Sequence, residues 1–229
     1  MERCRKILLA SSLVASPLFI LAYWLTYPAY GKLSGDDIIG TVTRDPSMTA
    51  VSDVFALAGA LLAIPASLAL IHVLRKRTPN LALLGGSLNL LGWVGVSVLL
   101  MTDVIATEIA KLGPTAQTTL LFKHLLTNPL VLALNVAATL HIVGAVIIGV
   151  ALLRSNLMPR PLAIAAVVAG PIHLASNLAG QLWVDSVTWV VLAIAYGHLI
   201  PQVLSDESPE SVADAGRAVD ALDGPLTIA

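Results

Sequence analysis

The sequence predicts an all-α fold: a polytopic membrane bundle of six transmembrane helices, with N- and C-termini cytoplasmic and a helical hairpin that repeats. Three observations lead there. Only 12% of the 229 residues are charged, half the roughly 25% of an ordinary soluble domain. The mean hydropathy is +0.86. The charges gather in short patches between apolar runs long enough to cross about 30 Å of hydrocarbon.

Those runs fall at 7–30, 51–74, 81–105, 129–153, 162–181 and 183–204, which makes 1–204 a single transmembrane domain. Arg3, Arg5 and Lys6 precede the first run as they would in a signal peptide, but the run lacks a small-x-small cleavage site and reads as a retained span. The last two runs are separated only by Gln181 to Asp185, a tight hairpin. Between the third and fourth, TAQTTLLFKHLLTNP (115–129) reads as a short interfacial helix with Leu120, Leu121 and Leu125 toward lipid. Asn128 then caps the fourth span, with Pro129 in its first turn. The segment 205–229, rich in acids, reads as a disordered cytoplasmic tail suited to docking a protein partner.

Cations set the orientation. With the N-terminus inside, the cytoplasmic side collects Arg3, Arg5, Lys6, Arg75, Lys76, Arg77, Arg154 and Arg160, against Lys32, Arg44, Lys111 and Lys123 outside. This is the pattern of a multi-pass protein of the cell inner membrane. Asp36, Asp37, Asp45, Asp53, Asp103, Glu108 and Asp185 then fall on or near the outer face, where the plain account is a solvated rim. The single cysteine, Cys4, lies before the first run and reads as an ordinary thiol, with reversible acylation as the alternative.

SLALIHVLRKRTPNLALLGG (67–86) and VIIGVALLRSNLMPRPLAIAA (146–166) share an apolar run, a basic bend, Pro and then Leu-Ala. NLLG (89–92) and NLAG (177–180) follow them, each close to a tryptophan, so a duplication would pair Asn89 with Asn177. The bend LLRSNLMPRPLA also resembles one found in uncharacterised small bacterial multi-span membrane proteins, a likeness confined to that bend that implies no activity.

Polar side chains within the spans carry the functional question. At 100° per residue, Ala166, Ala169, Gly170, His173, Ser176, Asn177 and Gly180 share one stripe of the fifth span. Ile164, Val168, Ala175, Leu178 and Leu182 lie opposite, toward lipid. A stripe both small and polar is a helix–helix contact in a bilayer, and Pro171 adds a kink. The fourth span carries Ala137, Ala138, His141, Gly144 and Ala145 on one face and Asn128, Asn135 and Thr139 on a second polar edge. Counted from the basic bend, His141 lies about 20 Å and His173 about 18 Å from the inner boundary. Two histidines at matching depth on adjacent helices are the sharpest feature of the chain. His72 and His198 are shallow, and His124 belongs to the interfacial loop.

Four readings follow. In the first, His141, His173, Asn177, Asn89 and Asn135 join helices by hydrogen bonds, each contributing about 0.6 kcal/mol, in an accessory, sensory or assembly subunit with no active site; in a binding subunit the same five residues are the pocket for a lipophilic small molecule. In the second, Asp103 and Glu108 in MTDVIATEIA are outer-rim general acids of a cyclase- or isomerase-type enzyme acting on a lipophilic substrate, chemistry that a low-dielectric boundary favours. The third places a haem b between His141 and His173; against it, no Arg or Lys lies at that depth to receive propionates. The fourth is a small transporter or proton path.

Other classes are excluded. All five lysines lie outside span interiors, so no retinal Schiff base is placed. There is no GxxxxGK phosphate loop and no HExxH helix, and Asp36-Asp37 stands in a loop, outside any aspartate-rich diphosphate site. Two imidazoles without a carboxylate or thiolate make a poor metal site, and a net charge of -1 carries no nucleic-acid footprint.

Overall fold

The computed structural model describes residues 2–205, so the acidic tail beyond Ser205 lies outside the described residues. Every described element is a helix: α1 (Glu2–Thr26), α2 (Gly35–Val42), α3 (Pro46–Leu74), α4 (Pro79–Leu112), α5 (Ala116–Leu126), α6 (Pro129–Ser155), α7 (Arg160–Leu178), α8 (Leu182–Gly197) and α9 (Ile200–Leu204). Six stretches are long and apolar enough to cross a membrane, the last running from Leu182 to Leu204.

Their starts are chemically marked. Pro46, Pro79, Pro129 and Pro161 each occupy a first turn, where a missing N–H costs nothing. The Asp45 carboxylate accepts from the Met48 N–H at 2.9 Å, and Asn128 Oδ1 from the Leu130 N–H at 2.9 Å. The helices outrun the apolar segments that announced them, because a helix continues beyond hydrocarbon wherever water or a cap satisfies its ends. Thus α4 extends to Leu112 and carries both Asp103 and Glu108 as helical residues.

The spans form a closed ring in chain order. α1 packs on α3, α3 on α4, α4 on α6, α6 on α7, α7 on α8, and α8 back on α1. A ring in which each helix meets its two sequence neighbours has an interior, and that interior holds the inward polar stripes. One end of the ring is basic, with Arg75, Lys76, Arg77, Arg154 and Arg160 at the α3–α4 and α6–α7 turns; α9 lies there against α1 and α3. The opposite end is capped by α2 and α5.

That cap corrects two expectations. Asp36 and Asp37 stand in the first turn of α2 rather than in a loop, because Ser34 accepts from the Asp37 N–H at 3.1 Å and starts a helix there. On α5, Leu120 and Leu121 are exposed as expected, but Leu125 packs with Phe122 onto Ile39 and Ala106 in a small satellite core. The amphipathic face that seemed destined for lipid is partly spent on α2 and α4.

Candidate functional site

Small residues decide where the helices touch. Along α4, Gly85, Gly92 and Gly95 face Ile147, His141 and Ala138 of α6, and Gly144 of α6 faces the Asn89 backbone. A Cβ at Gly92 would run into the backbone of His141 itself, so this seam fixes the root of that side chain. On α7 the anticipated stripe is buried at Ala166, Ala169, Gly170 and Ser176, while Ile164, Val168 and Leu178 are exposed. His173 therefore points into the ring and meets His141, their ring centroids 6.2 Å apart.

Two tryptophans complete a cycle of rings. Trp93 lies 4.9 Å from His141, Trp189 lies 5.1 Å from His173, and Trp93 and Trp189 are 6.3 Å apart. Trp24 of α1 approaches His173 from another side at 6.0 Å. The quartet does not fit a haem: the indoles of Trp93 and Trp189 stand against the imidazoles, and the voids between the four rings, about 80 and 50 Å³, hold no macrocycle. No group of three or more His, Cys, Asp or Glu suited to a metal ion occurs among the described residues.

His173 has a partner absent from the expected cluster. Its Nδ1 donates to Asp185 Oδ1 at 2.7 Å, and the Tyr30 O–H donates to Asp185 Oδ2 at 3.2 Å. Asp185 is wholly buried, which corrects its placement on a solvated rim. The reason lies in the α7–α8 turn. His173 sits five residues before the end of α7 and Asp185 three after the start of α8, so a tight hairpin brings them to one level. Tyr30 is held there because Gly31, at φ +70°, lies flat against the backbone of Gly180 at that turn. Burial, and then the Asp185 charge, raises the Tyr30 phenol well above its usual range, so it stays a donor.

Asp103 forms a second acid centre on the opposite wall. Tyr23 and Tyr27 donate to its two oxygens at 3.0 and 3.2 Å. Burial and the nearby carboxylate also push the Tyr27 phenol up, keeping it protonated. Asp53, expected on the rim, accepts from Thr107 at 2.9 Å, and its other oxygen is buried without a partner. Glu108 does not join these residues: it is exposed and paired with Lys111 at 2.7 Å.

The three asparagines separate. Asn89 is buried and donates to Ser67 at 2.7 Å beside the imidazoles. Asn177 lines the largest of the three spaces around the imidazoles and Asn89 the smallest, so the pair that a duplication would equate sits in different surroundings. Asn135 is exposed on the α6 edge, donating to the Val131 carbonyl at 3.0 Å, and reaches only the cavity rim.

Both imidazoles border a cavity of about 370 Å³ that extends to Ile38 and Leu126 at the capped end, with Asp103, Tyr27 and Asn177 on its walls. Two smaller voids, about 80 and 50 Å³, continue past His141 and His173 between Trp93 and Trp189. A family model described as a domain of unknown function, DUF4386, matches residues 11–203, from the first turns of α1 to α9. The chain belongs to the DUF4386 family. No curated protein and no solved structure matches it. Asp185 and Trp189, which the depth count from the basic bend passed over, stand in the first two turns of α8, just past the α7–α8 turn.

Proposed function

We propose that the protein is a multi-pass protein of the cell membrane that binds a lipophilic small molecule inside its helical ring. One observation carries this: a cavity of about 370 Å³, within the roughly 300–1,000 Å³ of small-molecule sites, bounded by Trp24, His141 and His173, with Trp93 and Trp189 lining the smaller voids behind the two imidazoles. Apolar walls with a few converging polar groups are the usual composition of such sites. The ligand enters from the capped end, where Asn177 and Lys32 stand at the opening.

The test is a steric block. Val96 lines both the large cavity and the void behind it, so Val96→Trp places an indole in the passage. Titration calorimetry of detergent-purified protein with para-butylanisole, against a micelle blank, should give saturable binding to the unsubstituted chain and none to the variant. Equal heats from both proteins would defeat the reading.

The cation-rich end faces the cytoplasm in this proposal, since Lys and Arg beside short loops hold that side. Cys4, exposed and the single cysteine, reports it directly. A membrane-impermeant maleimide should leave Cys4 unlabelled in intact cells and label it after permeabilisation. In a Cys4→Ser background, Leu112→Cys at the capped end should label in intact cells. Reversed labelling would invert the topology.

A second reading, acid–base chemistry on the bound molecule, is favoured by the His173–Asp185 pair, a carboxylate-oriented imidazole beside a cavity. It moves the candidate acid–base group from Asp103 and Glu108 to His173. Time-dependent conversion of a bound lipophile, abolished in His173→Gln while binding persists, would establish it.

A further inference from the structure

The deep end of the cavity has a definite set of unused hydrogen-bonding atoms. His141 Nδ1 faces the Ala138 carbonyl, and a carbonyl only accepts, so that nitrogen carries the hydrogen. His173 Nδ1 faces Asp185, whose second oxygen already receives the Tyr30 O–H, so it too carries its hydrogen. A neutral ring so held is left with Nε2 as a lone-pair acceptor, and neither Nε2 has a partner among the described residues. On the donor side, the indole N–H groups of Trp24 and Trp189 are buried without a partner. Both belong to rings in contact with His173. The site therefore presents unused acceptors and unused donors around one imidazole.

We infer that the ligand bears a hydroxyl group, an alcohol or phenol on an apolar body, and that the hydroxyl lies at His173. This rests on the binding reading above and specifies its chemistry. A hydroxyl has one hydrogen to give and two lone pairs to offer. It donates to Nε2 of His173 and accepts from the Trp189 indole N–H, so it uses an acceptor and a donor of the site together. A carbonyl or ether uses the indoles but leaves both imidazole lone pairs unmet, and an ammonium leaves both indoles unmet. A charged carboxylate or phosphate faces Asp185 and Asp103 with Lys32, at the opening, as the one cation on the wall. Asp185 acts here as a positioning residue: by holding Nδ1–H it keeps the acceptor edge of His173 toward the ligand.

Two probes differing only in that hydrogen decide the matter. Para-butylphenol and para-butylanisole share a ring and chain, and the second replaces the O–H by O–CH₃. Each is titrated into the detergent-purified full chain, with Val96→Trp as the blank. The phenol should bind about tenfold tighter, the worth of one buried hydrogen bond. In His173→Phe the two affinities should converge, because the acceptor is gone. In Trp189→Phe both should weaken together, because both probes use that donor. Equal or reversed affinities in the unsubstituted protein overturn the hydroxyl inference while leaving a binding cavity. Binding of neither probe overturns the cavity reading with it. The comparison on the unsubstituted chain decides even if a variant does not fold.

Discussion

Helices α4 and α6 behave differently along their shared length. From Gly85 to Gly95, glycine on one helix meets backbone on the other, and the two are in the closest contact that side chains permit. One to two turns further toward the capped end, α4 presents Leu99, Leu100, Thr102 and Asp103, α6 presents Val131 and Asn135, and a cavity lies between these walls and α1. The same pair of helices is thus a seam below and a wall above. In a bilayer no hydrophobic gradient draws helices together, so van der Waals fit determines where they join. Changing residue size along one face is enough to leave a chamber at a chosen depth.

The largest expected effect comes from the seam. Gly92→Ala puts a methyl against the His141 backbone, where neither partner is a flexible side chain, so the helices must separate. Overpacking ordinarily costs about 1–3 kcal/mol, and a backbone-on-backbone clash belongs at or above the top of that range. Leu99→Ala, on the same helix but half-buried beside existing space, should cost less than about 2 kcal/mol, the floor for Leu→Ala in packed cores. Unfolding of the purified variants by dodecyl sulphate measures both. Comparable losses would mean that the seam and the wall are packed alike.

The six spans and their inward faces were legible in the sequence, for a physical reason. The apolar runs, the basic bends and the small-polar stripe through Ala166, Gly170 and His173 are local patterns, and a membrane span converts a local pattern into a position. The His141–His173 approach follows because depth adds up from a shared bend at 1.5 Å per residue. Asp185 was not legible in this way. Its own stretch, LWVDSVTW, has the composition of a helix start at an interface, and its burial depends on His173, Tyr30 and the Gly31–Gly180 contact arriving from three segments. Likewise Asp103 looks like a solvated helix end until two tyrosines of the α1 region close on it. Acids near span ends are ambiguous because water and a buried donor satisfy them equally well, and only tertiary structure tells which is present.

That ambiguity orders the smaller effects. Asp185→Ala and Asp103→Ala each strand two donors: the His173 Nδ1–H and Tyr30 O–H in one case, the Tyr23 and Tyr27 O–H groups in the other. An unsatisfied buried group costs about 1–3 kcal/mol, so bond counting alone predicts equal losses. Access to water separates them. Asp185 has no exposed surface and stands behind His173, outside the cavity lining, so no open wall adjoins the place its carboxylate vacates and the loss should approach about 3 kcal/mol. Asp103 lines the open cavity, where a water molecule fits beside the phenols and replaces much of what the carboxylate gave; here the loss should be about half as large. Glu108→Gln, which removes one end of an exposed pair with Lys111, should stay within about 0.5 kcal/mol. The order Asp185, Asp103, Glu108 is the measurement that matters. If Asp103→Ala costs as much as Asp185→Ala, water does not reach the wall of the chamber, and the opening toward the capped end is closed to a ligand as well.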